Sequence, residues 1–300
     1  MTSLRKLFSR ICLTAIFLLL PLCVASTIVQ ARQSVRRGFA KVNNAKLYYE
    51  VSGKGHPLVL IHGGNMDMRM WDMQFNVFAK AYKVIRYDVH GFGKSDVPTK
   101  GFSHTQDLYS LLKFLHVDRA YIIGLSLGGR IAIDFALEHP EMVDALVLAA
   151  PGLSGYRFSD ESRERSWATI EAARDEGFAK ATEMWLKSPY MSPAMKNPAI
   201  KQRLQQLALE NAHHWLENPY FERETKPPAT QRLSQIHVPT LLIVGDRDIP
   251  DIQKIVDTLA TGIAGAKKQI IHGAGHIINM ENPEEFNQAM QSFLDSRGTF

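Results

Sequence analysis

Short apolar runs recur along this chain, each closed by turn-forming residues and separated by segments of helical spacing. Leu58–Ile61, Val84–Tyr87, Tyr121–Ile123, Ala145–Ala149, Leu241–Val244 and Gln269–Ile271 are continuous rather than alternating. Continuous runs suit strands covered on both faces, as in a parallel sheet. Leu47–Val51 alternates instead. It follows Asn43-Asn44, which predicts a hairpin with Arg37–Val42. Between the runs, helical patterns cover Met70–Phe78, Thr105–Leu115, Arg130–Leu137, Ile252–Leu259 and Pro283–Leu294. Asn282 and Pro283 supply the N-cap and first-turn signals of the last one. Strand–helix alternation of this kind predicts a doubly wound α/β fold.

One stretch breaks the rhythm. Residues 153–236 hold no buried-strand signal and are charged, helix-leaning and punctuated by Pro189, Pro193, Pro198, Pro219, Pro227 and Pro228. They are expected to form a helical cap, inserted into a core built from residues 32–152 and 237–300. An insertion there would cover the carboxyl edge of the strands, where α/β sheets bind ligands.

The N-terminus has the layout of an export signal. Arg5, Lys6 and Arg10 precede an apolar segment, and small residues follow it. Cleavage after Ala31 is the first expectation and the Val24-Ala25-Ser26 site the second. The competing reading is an uncleaved anchor, since Ile11–Val29 is 19 residues, against the ~20 that span a bilayer. Either way the protein is expected to be exported, periplasmic or extracellular, with membrane association through residues 11–29 if the segment is kept. Cys12 and Cys23 both lie in it, so the rest of the chain cannot rest on disulfides. Removing residues 1–31 leaves 300 − 31 = 269 residues and lowers the net charge from +5 to +2. That length buries a full core. No dense basic run remains, which argues against nucleic acid as a partner.

The chemistry is concentrated at one turn. Tyr121-Ile122-Ile123 runs into Gly124-Leu125-Ser126-Leu127-Gly128-Gly129 and then into Arg130-Ile131-Ala132-Ile133. This is G-x-S-x-G between a strand and a helix, the context in which the serine is presented on a strained turn. Side chains at 124 and 128 are expected to clash there. The helix amino end favours negative charge developing beside Ser126.

An alcohol needs a base to act as a nucleophile at neutral pH. His276, in Gly273-Ala274-Gly275-His276 after the last strand, is placed for it. His272 comes too early, His213 and His214 fall in the cap, and His237 precedes its strand. The orienting acid is expected at Asp248, with Asp246 and then Asp251 as competitors and an Asp246-Arg247 ion pair anticipated. The preceding strand ends in Ala150-Pro151-Gly152 and offers no carboxylate. Backbone N–H groups of Leu127 and Gly64, with Asn65 second to Gly64, are the expected oxyanion donors.

These residues resemble the α/β-hydrolase superfamily from about residue 37 onward. The resemblance rests on the elbow, on His62-Gly63-Gly64, on Gly273-Ala274-Gly275-His276 and on Asp88-Val89-His90-Gly91-Phe92-Gly93-Lys94-Ser95. The elbow resembles that of esterases and enol-lactonases. The resemblance implies an eight-stranded, mostly parallel sheet with a cap. Serine at 126 sets the chain apart from members with an aspartate nucleophile. No metal-ligand spacing or phosphate loop is present, so no cofactor or metal is expected.

The expected activity is cleavage of a small carboxylic ester or lactone through Ser126, His276 and Asp248. Two alternatives share every motif: a C–C bond hydrolase of a diketone-like substrate, and a ligand-binding receptor with slow turnover. Trp185 and Trp215, and with them Tyr190, Tyr220 and Phe221, are the cap side chains that are candidates to line a substrate pocket. Met66, Met68 and Met70 are expected to be packing residues.

Overall fold

The structure, a computed structural model, describes residues 34–217, 222, 223 and 225–297. The export segment, Tyr220 and Phe221 lie outside the described residues. Among the described residues no helix is long and apolar enough to cross a membrane.

The chain opens with the expected hairpin. β1 (Arg36–Val42) pairs antiparallel with β2 (Ala45–Ser52). Asn43 and Asn44 both take left-handed backbone angles (φ 47° and 66°), the pattern of a tight hairpin turn whose twist matches the strands. β3 (Pro57–Ile61), β4 (Lys83–Tyr87), β5 (Ala120–Leu125), β6 (Val143–Ala149), β7 (Thr240–Gly245) and β8 (Lys267–Ile271) complete one eight-stranded sheet in the order β1-β2-β4-β3-β5-β6-β7-β8. From β4 to β8 all pairings are parallel. β5 and β7 are buried along their whole lengths.

β8 departs from the sequence reading. It is an edge strand with Lys267 and Lys268 exposed and Ile270 42% exposed. Charged side chains there discourage pairing with another chain.

Helices cover both faces. α1 (Asp72–Phe78) is preceded by a 3-10 turn, Met68–Trp71, whose Asp67 cap accepts from the Arg69 N–H. α2 (His104–Phe114) starts at Ser103, and α3 (Leu127–Glu138) buries Ile131 to Leu137 without a break. Between β6 and β7 the helical insert is observed: α4 (Asp160–Asp175), α5 (Phe178–Leu186), α6 (Pro198–Glu210) and α7 (His214–Glu217). Then come α8 (Pro250–Gly262), α9 (Ile278–Glu281) and α10 (Pro283–Asp295). The Asn282 side chain caps α10 by accepting from the Glu285 N–H.

Strand order reverses at β3: β4 lies on one side of it and β5 on the other. Such a switch point opens a crevice at the carboxyl ends of the strands. Ile61, the last residue of β3, is opposite Gly124 near the end of β5. This register sets the loop that begins at His62 beside the turn at Ser126. β7 and β8 end together, with Gly245 opposite Ile271. The loops carrying Asp248 and His276 therefore leave the sheet side by side.

Candidate active site

Ser126 stands between β5 and α3 with φ 54° and ψ −110°. This strained backbone is over-determined by its surroundings. The Ser126 N–H donates to the Ala149 carbonyl, and the Ser126 carbonyl accepts from the Arg130 and Gly152 N–H groups. The expected crowding at the two glycines is present. A Cβ at Gly124 would stand 2.1 Å from the Gly128 carbonyl oxygen, and one at Gly128 would stand 2.1 Å from that of Ile61. The turn can close against β3 only without those side chains.

His276 and Asp248 form a buried pair. His276 Nδ1 lies 2.9 Å from Asp248 Oδ2, and the two side chains are 5% and 0% exposed. Asp248 Oδ1 accepts from the Ile249 N–H at 2.7 Å, which fixes the carboxylate plane. The loop under His276 is held by Glu281, whose two oxygens accept from the Gly275 and Ile277 N–H groups. Burial raises the Glu281 pKa against those stabilising bonds. Tyr190 packs edge-on to the imidazole, with ring centres 4.9 Å apart. Burial, and after it the Asp248 charge, pushes the Tyr190 phenol up.

The two competing acids have other partners. Asp246 is exposed and bonds His272 Nδ1 (3.0 Å) and the Gly273 N–H (2.7 Å). In place of the expected Asp246-Arg247 ion pair, Asp246 makes a hydrogen bond with His272. This bond is the first cause of Asp246's lowered pKa, and the Arg247 charge is the last. Asp251 faces the cap: it accepts from the Ser159 N–H and hydroxyl, from the Ser162 hydroxyl and from the Tyr156 hydroxyl. It is the anchor of the α4 amino end.

A cavity of about 230 Å³ brings Ser126, His276, Gly64 and Leu127 together. Leu127 is the first residue of α3, where an N–H has no acceptor within the helix. Gly64 lies against it, since a Cβ there would come 3.9 Å from Leu127 Cδ2. Asn65, with φ 58°, also borders the cavity. Trp185, Trp215 and Tyr190 all line it, as does Met66. Met68 and Met70 are packed away from it, and Met70 Sδ accepts from the Gly63 N–H at 3.1 Å.

His62 plays a structural part that the sequence did not suggest. It is fully buried; Nδ1 is 2.8 Å from the Gly63 carbonyl oxygen, and Nε2 accepts from the Val89 N–H at 2.9 Å. Both bonds are satisfied by one neutral tautomer. Burial pushes the His62 pKa down to about 4. The side chain thereby ties the β3 loop to the Asp88–Ser95 loop. Within that second loop Asp88 accepts from the Met68 and Lys94 N–H groups, and Ser95 Oγ donates to the Asp88 carbonyl.

Sequence reasoning missed the α4 wall. Ser162, Arg165, Ser166 and Thr169 border the cavity. Their spacing of three and four residues puts them on one face of a helix. That periodicity was available in the sequence, but a small polar face on a charged helix reads as a solvated one. Among the described residues no group of His, Cys, Asp and Glu is arranged to hold a metal ion.

Comparison with known proteins places this geometry. Residues 58–289 match the model of the alpha/beta hydrolase family. Over 279 residues the chain is 26% identical to 2-hydroxy-6-oxo-6-phenylhexa-2,4-dienoate hydrolase from Comamonas testosteroni, covering 86% of this chain and 96% of that one. Among solved structures, a thermophilic esterase from Thermogutta terrifontis is similar with a TM-score of 0.75 at 26% identity, covering 88% of this chain and all of that one. The enol-lactonase from Burkholderia xenovorans LB400 shares the fold with a TM-score of 0.71 at 24% identity, over 86% of this chain and 100% of that one. With the matched region spanning the sheet from β3 onward, the elbow, the cap and most of α10, the chain belongs to the alpha/beta hydrolase family.

Proposed function

We propose that this chain is a serine hydrolase of carboxylic esters or lactones, working through Ser126, His276 and Asp248. The observation that carries the reading is the shared cavity: the strained Ser126 and the buried His276–Asp248 pair open onto the same space as Gly64 and Leu127. In this mechanism Ser126 Oγ attacks the carbonyl carbon and passes its proton to His276 Nε2. Asp248 holds Nδ1 and stabilises the imidazolium. The N–H groups of Leu127 and Gly64 take the oxyanion. His276 then returns the proton to the leaving oxygen. Water, activated by the same imidazole, releases the acid from the acyl-enzyme.

A fluorophosphonate probe tests the reading. We expect it to label the protein stoichiometrically and to fail on Ser126→Ala. Persistent labelling of that variant would overturn the assignment. Similarity to a dienoate C–C hydrolase favours a second reading with the same residues. Methyl and aryl esters assayed beside a diene-diketone separate the two. We further propose that residues 1–31 act as an export signal, which N-terminal sequencing of the mature protein tests.

A further inference from the structure

The α4 wall of the cavity is unusual in its hydrogen-bond supply. Ser162 Oγ donates to Asp251 at 2.6 Å, Ser166 Oγ to the Ser162 carbonyl at 3.0 Å, and Thr169 Oγ1 to the Arg165 carbonyl at 2.9 Å. A hydroxyl has one proton to give. These three have committed theirs and present lone pairs only. The Arg165 guanidinium therefore supplies the N–H donors on this wall. Among the described residues it is also the only Lys, Arg, Asp or Glu side chain bordering the cavity.

Arg165 is 29% exposed and bonds Glu161 at 2.6 Å, but Glu161 is 81% exposed and does not border the cavity. An exposed partner of this kind contributes little and exchanges readily. On the same cap, Ser188 borders the cavity, and its Oγ is buried with no hydrogen-bond partner among the described residues. Its proton is uncommitted. The remaining walls are mostly apolar or backbone, including Met66, Phe158, Trp185 and Ile277.

We propose that the substrate carries a carboxylate remote from the scissile carbonyl, and that Arg165 binds it. This rests on the serine-hydrolase reading and names the substrate class for it. A guanidinium matches a carboxylate in plane and charge, and the apolar walls weaken competition from water. Asp251 holds the amino end of α4, so Arg165 sits on a fixed helix.

The test compares monomethyl esters of the dicarboxylic acids succinate to suberate with methyl alkanoates of matched length. We expect kcat/KM to favour the half-ester about tenfold or more at one chain length, in line with hydrogen bonds to charged groups. Arg165→Gln should collapse that ratio, Arg165→Lys should restore part of it, and Arg165→Glu should push it below one. A wild-type ratio near one, or a ratio unmoved in Arg165→Gln, overturns the proposal. Binding of free adipate to the Ser126→Ala protein is the second measurement. It should weaken about tenfold on adding Arg165→Gln, and equal affinities would also overturn the proposal. If neither ester series is cleaved, the hydrolase reading fails, while adipate binding still decides the role of Arg165.

Discussion

The edge of the sheet and the cap that covers it are built by different means. At the sheet edge, Ser126 and Asp248 sit a few residues past the buried strands β5 and β7 and His276 past the edge strand β8, and strand register brings their loops together. Bonds from backbone N–H groups, Ser126 to the Ala149 carbonyl and Ile249 to the Asp248 carboxylate, fix them locally. The cap is tied down by side chains across long sequence distances. Asn211, fully buried, accepts from the Gly93 N–H at 2.7 Å and donates to Asp67 at 2.9 Å. Arg69 bridges Asp67 and Glu210, and Arg203 reaches Asp72. The inner face of α4 buries only Ser162, Thr169, Ala172 and Ala173. Ser162 and Thr169 of that face border the cavity, where their small side chains leave it room. A rigid frame thus carries the reacting groups, and a polar clasp sets the space around them.

The contrast can be broken most severely at the sheet edge. Ser126→Ala should reduce ester turnover by about 10⁴-fold or more, while circular dichroism and the unfolding temperature stay close to wild type. Asp248→Asn should cost about 10³- to 10⁴-fold in kcat, whereas Asp246→Asn should leave kcat within about twofold, because its partners His272 and Gly273 lie outside the cavity. Equal losses in the two variants would show that the acid had been misassigned.

Acid should act on the seam between frame and clasp. His62 and His104 are buried and His214 is partly buried, and burial is the first cause that lowers their pKa values to about 4, about 4 and about 3. The free imidazole value near 6.5 belongs to the unfolded chain. Between about pH 6.5 and 4 the unfolded state therefore binds more protons, so stability is full above that window and falls as pH drops through it. For His62 alone the loss is on the order of 3 kcal/mol, since protonating Nε2 also deprives the Val89 N–H of its acceptor. Urea unfolding at pH 7 and pH 4.5 measures it, and His62→Gln should lessen the difference.

Smaller effects belong to the cap. Asn211→Ala should destabilise by about 2 kcal/mol, because it removes the acceptor of the Gly93 N–H and a donor to the buried Asp67. Chemical denaturation gives the value. Trp185→Ala should change the preference among ester chain lengths by up to about tenfold, with the kcat for the best remaining ester kept within that range. A uniform loss across all lengths would assign Trp185 to packing instead.

The same division explains what could be read from the chain. The strands, the hairpin at Asn43-Asn44, the elbow and the cap on α10 follow from local spacing and turn chemistry. Asp248 is legible from its place past the strand Leu241–Val244, with the alternative position excluded by Ala150-Pro151-Gly152, and the structure pairs it with His276. The fates of Asp246 and Asp251 were not legible, for each depends on a partner placed by the fold: His272 across two strand ends, and Ser159 and Ser162 from the insert. The exposed character of β8 was hidden too, because periodicity cannot tell an edge strand from a central one. Arg165 and Ser188 reach the cavity only because helices far apart in sequence are clasped together. The 3-10 turn at Met68 was missed because its cap, Asp67, is held by Arg69 and Asn211 rather than by a local apolar pattern.

Asp251 stands three residues after Asp248 and holds the helix that carries Arg165. The loop after β7 and the first turn of α8 therefore serve both halves of the molecule. Grafting the insert from a relative onto this frame would have to include a partner for that carboxylate. Without a hydroxyl at positions like 159 and 162, a buried anion would be left unsolvated, and the chimera would lose its acid loop along with its cap. Selectivity in this protein is exchangeable only together with that one docking point.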